Sequence, residues 1–375
     1  LIAGLTIPLM VLAADAAWAS TDLQKLIESA PLEAGVSTSI HAAQLTHFLE
    51  QNGYILATVS VIEDGSLKVD PGLISTIKIS GLSPKNEAHA KKIILAEISE
   101  APTEESLDRA VTLINDMPGV NASFAIERDA TGNYELYVSG TDTPQFGGVS
   151  IDNTPTNIGH EHRINLHQNV NGLITGGDIL RLQAVWVESD NSADQRSILA
   201  SYQLPVGATG GFAEFGASDL RTETEVHGRS SAYATGFGTV ILPGRVTSHD
   251  YEGQNYYING GFPLYRSHDE AFYLLGQLDY SLDETDSIGK SDVIHGDAGL
   301  FYSHQQPTGE SFHAGGYIGA GYNDSYIAGE DNNYWSAELA ASYITPVLAI
   351  DRFTELRIEG GAKVAGKHLP NSKLF

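Results

Sequence analysis

The sequence predicts two architectures in one chain: small α+β modules first, then an antiparallel transmembrane β-barrel. Three observations carry this. Up to residue 142, apolar residues recur at helical spacing between short alternating runs. From Phe146 onward almost every segment alternates with period two. The connections between those later segments read alternately as compact turns and long polar stretches, the pattern of an outer-membrane barrel.

Residues 1–19, LIAGLTIPLMVLAADAAWA, have an apolar core from Leu1 to Ala14 and end in Ala17-Trp18-Ala19. They are expected to be a secretory signal cleaved before Ser20. With no initial Met and no basic n-region, the chain is expected to begin inside a longer signal. Residues 20–70 then carry two helical stripes, Leu23, Leu26, Ile27 with Ala30, and Leu45 with Phe48 and Leu49, the second after possible caps at Thr38 and Ser39. Tyr54 to Ile62 alternates as a strand, and Asp64-Gly65 turns it back into Leu67 to Val69.

Residues 71–142 repeat that order behind a leading strand, Leu73 to Ser80. Ala90, Ile93, Ile94 and Ile98 share one helical face. Thr103 caps a second helix with Glu104 and Glu105 in its first turn and the stripe Leu107, Ala110, Val111, Ile114. Met117-Pro118-Gly119 ends it, and strands at 122–128 and 134–138 flank a turn.

Residues 146–375 are expected to form the barrel. Leu180, Leu182, Ala184 and Trp186 alternate with Arg181 and Gln183; Trp335, Ala337, Leu339, Ala341 and Tyr343 alternate with Ser336, Glu338 and Ser342. About eleven strands are read, with long polar connections at 153–162, 188–196, 220–254, 283–292 and 323–333. Trp186, Tyr202, Tyr280, Tyr302, Tyr322, Trp335 and Tyr343 suit interfacial girdles. The polar face, with Arg181, Glu338, Arg357, Glu359 and Lys363, suits a watery pore lining.

Composition narrows the function. Basic side chains number 21 against 47 acidic ones, a formal charge of -26 that repels nucleic acid phosphates. Zero Cys rules out disulfides and thiolate metal sites. His160-Glu161-His162 and the acidic stretch with Asp324, Glu330 and Asp331 lack the spacing of a metal site and read as polar loops. Gly315, Gly316, Gly319 and Gly321 lie in an alternating strand with no helix after it, not in a dinucleotide turn. Neither a catalytic constellation nor a cofactor is expected.

Strand, helix, helix, strand, strand is the order of the polypeptide-transport-associated (POTRA) module. RAVTLINDMPGVNASFAIERDATGNYELYV, residues 109–138, resembles the second such module of the two-partner secretion transporters, the haemolysin secretion and activation proteins. Residues 20–70 resemble a partial first module, without a leading strand or plug helix. FGGVSIDN at 146–153, GGDILRL at 176–182, ASYQLPVGATGGFAEFGASD at 200–219 and NGGFPLYRS at 259–267 are similar to that family's barrel in the same order.

The resemblance implies an outer-membrane protein whose periplasmic modules capture an unfolded exoprotein and pass it through the barrel without a nucleotide. It also implies sixteen strands, so the chain is expected to stop short of the last five and of a Val-Arg-Gly-Tyr loop. By the family topology Ala122 to Arg128 is the client-binding edge, with Phe124 and Ile126 packing inward and Ser123, Ala125 and Glu127 outward. Proline at Ala125 is then expected to reduce secretion while leaving insertion intact. An assembly factor for other barrels, a passive porin and a soluble secreted sandwich are the rival readings.

Overall fold

A computed structural model describes residues 21–33, 35–98, 101–130, 132–156, 159–189, 193–227, 231–235, 238–242, 246–285, 289–325, 332–346 and 355–365. The expected signal segment lies outside the described residues. The chain divides into two compact units, Leu1–Asp142 and Thr143–Phe375.

The first unit opens with helices α1 (Thr21–Ser29) and α2 (Thr38–Gln51) and the hairpin β1 (Thr58–Val61) and β2 (Leu67–Asp70). Both predicted stripes face inward: Leu23, Ile27, Leu45 and Leu49 form one core with Ala57 and Ala101. Ser37, not Thr38 or Ser39, is the N-cap of α2, but its hydroxyl bonds that of Ser39 at 2.9 Å and makes no side-chain cap. The strand expected from Tyr54 starts only at Thr58. The Tyr54 N–H bonds back to Leu49 O at 3.0 Å and the Ala57 N–H to Tyr54 O at 3.1 Å, so local turn bonds there outcompete alternation. The Asp64-Gly65 turn forms as read, with Asp64 Oδ1 accepting the Ser66 N–H at 2.8 Å.

Next come β3 (Ile74–Ser80), α3 (Pro84–Glu97), α4 (Glu104–Asn115), β4 (Val120–Arg128) and β5 (Tyr134–Asp142). The sheet order is β3-β5-β4, with β3 parallel and β4 antiparallel to the central β5. Ile93, Ile94, Leu113 and Ile114 from the helices are buried with Leu136 and Val138 from β5. Thr103 caps α4 as expected, in a reciprocal box: it accepts the Ser106 N–H at 3.1 Å, and Ser106 Oγ accepts the Thr103 N–H at 2.9 Å. On the other face Lys78 Nζ lies 2.7 Å from Glu135 Oε2. That hydrogen bond raises the lysine's pKa and lowers the carboxyl's.

The second unit is one antiparallel meander. Its eleven-stranded sheet contains β6 (Gln145–Thr156), β7 (Gly159–Asn171), β8 (Ile179–Ser189), β9 (Ala193–Val206) and β10 (Gly211–His227). After the separate hairpin β11 (Ser231–Thr235) and β12 (Gly238–Leu242), it continues through β13 (Val246–Arg266), β14 (Glu270–Thr285), β15 (Gly289–Gln305), β16 (Ser311–Ser325), β17 (Asn332–Pro346) and β18 (Glu355–Ala365).

The polar stretches read as long loops are largely strand. β6 runs to Thr156 and β7 resumes at Gly159; β10 and β13 stay paired from Phe212↔Gly261 to His227↔Val246. A tilted strand needs about 9–11 residues to cross a bilayer, whereas β10 has 17 and β13 has 21. Outside the membrane both faces turn polar, so the period-two signal fades while the backbone ladder, which needs no apolar side chains, continues.

The apolar face of this sheet points away from its polar face and is uncovered. Ile151 is 77% and Ile318 71% exposed, and Trp186, Leu278, Trp335 and Leu339 share that outer face. So extensive an apolar surface is a lipid contact. Among the described residues no helix is long and apolar enough to cross a membrane.

Candidate functional site

Among the described residues β4 pairs with β5 alone, so one of its sides is a sheet edge. Side-chain direction along it follows the expectation: Phe124 and Ile126 are half-buried on the helix-facing side, while Ser123, Ala125 and Glu127 are exposed.

Backbone direction was not readable from the sequence. The Ala122 N–H donates to Asn115 Oδ1 at 2.7 Å, and Asn115 Nδ2 donates to the Ala122 carbonyl at 3.0 Å. Ala122 therefore directs its backbone away from β5. Two contacts on β5 agree: Ser139 O accepts from Ser123 Oγ, on the β4 side, whereas Val138 O accepts from Ser80 Oγ, on the β3 side. Antiparallel strands alternate bonded and non-bonded pairs. Ser123, Ala125 and Glu127 thus ladder with Ser139, Tyr137 and Glu135, and Phe124 and Ile126 turn their N–H and C=O groups to the open edge. Proline at Ala125 consequently breaks the sheet's own ladder rather than its edge, which corrects the substitution chosen from sequence.

The edge overlooks a groove of about 930 Å³. Phe124, Ile126, Leu107, Val111 and Ile55 supply apolar wall, and Glu50, Glu104, Glu105 and Asp108 line it with carboxylates. The Glu104 N–H donates to Gly53 O at 2.8 Å, tying the α2 end of the groove to α4. Arg128 lies 3.7 Å from Asp70, a second tie between β4 and the first hairpin. Gly72 permits that join: its φ is 74°, and a Cβ there would lie 2.4 Å from the Leu56 carbonyl oxygen.

On the inner face of the large sheet, Arg181 is held in a network. It lies 3.4 Å from Glu214 Oε1 and donates to Gln203 Oε1 at 2.9 Å, while the Tyr257 hydroxyl donates to the same Glu214 oxygen at 3.2 Å. It thus links β8, β9, β10 and β13. Glu338 lines a cavity of about 400 Å³ with Asn259, Gln277, Asp279, His295 and Asp297, so that part of the wall is strongly polar. Arg357, Glu359 and Lys363 have backbones in β18, where Lys363 stands opposite Glu338, but their side chains lie outside the described residues. So do those of His160, Glu161, Glu330 and Asp331. Arg181 and Glu338 occupy separate regions of the same face.

No family model matches the chain. It is similar in sequence to the heme/hemopexin transporter protein HuxB of Haemophilus influenzae strain 86-028NP, with 24% identity over 188 residues. That match covers 46% of this chain and 33% of HuxB. In structure it is similar to CdiB from Escherichia coli, with a TM-score of 0.69 and 16% identity over 96% of this chain and 68% of that one. CdiB from Acinetobacter baumannii gives 0.66 and 18%, over 95% and 67%. The fold is that of these CdiB structures, in keeping with the two-partner secretion family that the sequence resembles.

Proposed function

We propose that this chain translocates a secreted exoprotein across the outer membrane, capturing it unfolded on the periplasmic side at β4 and passing it along the polar inner face of the barrel. The observation that supports this best is the open edge at Phe124 and Ile126 above an apolar, acid-lined groove. An extended client adds as a strand, its alternate residues enter the groove, and its backbone satisfies groups that otherwise bond only water. The carboxylates favour segments that carry Lys or Arg beside their apolar residues. Arg181 and Glu338 line the passage, Arg181 chiefly by holding four strands together. No nucleotide enters this scheme; folding of the client outside biases its movement. A passive porin has no use for such an edge.

The test is co-expression with a candidate large exoprotein from the same genome. Client in the medium that depends on this chain supports the reading. Client retained in the periplasm whether or not the chain is present, or a chain that instead raises assembly of unrelated barrels, overturns it.

A further inference from the structure

The turn joining β7 to β8 exposes two apolar side chains where a solvated turn has no need of them. Leu173 is 48% and Ile174 66% exposed. The turn is held rigidly. The carboxylate of Asp178, fully buried, accepts the N–H groups of Leu173 at 2.6 Å, Ile174 at 2.8 Å and Thr175 at 2.6 Å, and also the Tyr202 hydroxyl. The Gly172 N–H closes the loop onto Asp178 O at 3.0 Å, with φ of 65° at Gly172 and 80° at Gly177.

The clamp also sets where the turn points. Tyr202 shares its face of β9 with Ile198, which is 58% exposed, and its cross-strand neighbour Leu180 shares the face of Leu182, 42% exposed. That is the outer, lipid-facing side. The amides of 173–175 meet the Tyr202 hydroxyl on one carboxylate, so the turn curls to the outside of the wall and not into the lumen. Its base is fixed where the chain enters the barrel: Asn171 donates to Pro144 O at 2.8 Å and to Thr143 O at 2.7 Å. The turn between β15 and β16, by contrast, is Gln-Pro-Thr-Gly-Glu.

We infer that Leu173 and Ile174 are an interfacial anchor, inserted into the phospholipid leaflet on the side where the chain enters the barrel, at the depth of the Tyr202 ring. Their position continues the outer apolar face, and the curled backbone covers the buried Asp178 carboxylate, which lipid would not tolerate.

The chain has no cysteine, so Ile174→Cys creates a unique labelling site. The full chain, carrying a nitrobenzoxadiazole label there, is reconstituted into phosphatidylethanolamine–phosphatidylglycerol vesicles containing doxyl-labelled phospholipid. Thr308→Cys marks a solvated turn, and Leu182→Cys marks the lipid-facing wall. The expected result is blue-shifted emission at 174 relative to 308, lost to a doxyl group near the headgroup, with 182 quenched by a deeper one. Emission at 174 matching that at 308 overturns the anchor. So does a blue shift that no doxyl lipid quenches, which would place protein rather than lipid against the turn.

Discussion

Replacing Ile126 by proline and, separately, by alanine isolates what the β4 edge contributes. Both changes take the isoleucine side chain off the groove wall, alanine by truncation and proline by tying its carbons back to the backbone, but only proline removes the N–H that faces the open edge. Proline is tolerated on an edge strand where its missing N–H faces away from the ladder, and it restricts the preceding Ala125 to the extended backbone that residue already has. One hydrogen bond to an added client strand is worth about 0.5–1.5 kcal/mol net, which is roughly two- to tenfold in affinity. The ring also obstructs the approaching strand, so that range is a floor for the difference between Ile126→Pro and Ile126→Ala. Ala125→Pro is the contrasting arm: it deletes a bond to Tyr137 inside the sheet, leaving a partner unsatisfied at about 1–3 kcal/mol. The assays are client secretion and hydrogen exchange across β5. Ile126→Pro should secrete less than Ile126→Ala with β5 equally protected, while Ala125→Pro should lose β5 protection. Equal secretion by the two Ile126 variants would refute capture by strand addition.

Two further changes test other parts of the first unit. Asn115→Ala should remove both bonds to Ala122, cost about 1–3 kcal/mol, and abolish exchange protection at the Ala122 amide while β6–β18 stay unchanged. His89 is half-buried in α3; burial, with the charge of Lys92 adding, pushes its imidazole below the ordinary value of 6.5. A group with a depressed folded pKa contributes stability above its unfolded pKa and loses it as pH falls through the folded one. The melting temperature of the first unit should therefore fall as pH drops below 6.5, and His89→Gln should flatten that slope; an unchanged slope sinks the assignment.

Much of this architecture could be read from the residues. The stripes Leu23–Ile27 and Leu45–Leu49 became cores because helical spacing and burial are the same fact seen twice. The eleven barrel strands were countable because Leu182, Leu278 and Leu339 each had to leave the polar face. The polar hairpin extensions hid because alternation reports a bilayer boundary, and β10 and β13 continue past it. At the candidate site the sequence located the edge and its side-chain faces, but the direction of a backbone N–H depends on the phase of the ladder. The Asn115 contact fixes that phase, and nothing in the spacing of Asn115 and Ala122 announces it. The Asp178 clamp was likewise unreadable, since its partner Tyr202 lies a strand away.

The Asn115 amide has one more consequence. By occupying the rung at Ala122 it acts as the zero mark of a two-residue reading frame along β4. Any strand added beyond it has its residues sorted by parity, one set toward the groove wall of Phe124 and Ile126 and the other toward solvent. Under the proposed capture role, a receptor built this way checks phase rather than identity. It can accept many different stretches of one long unfolded chain in succession, provided each alternates, and a helical pattern of the same composition finds no frame to enter.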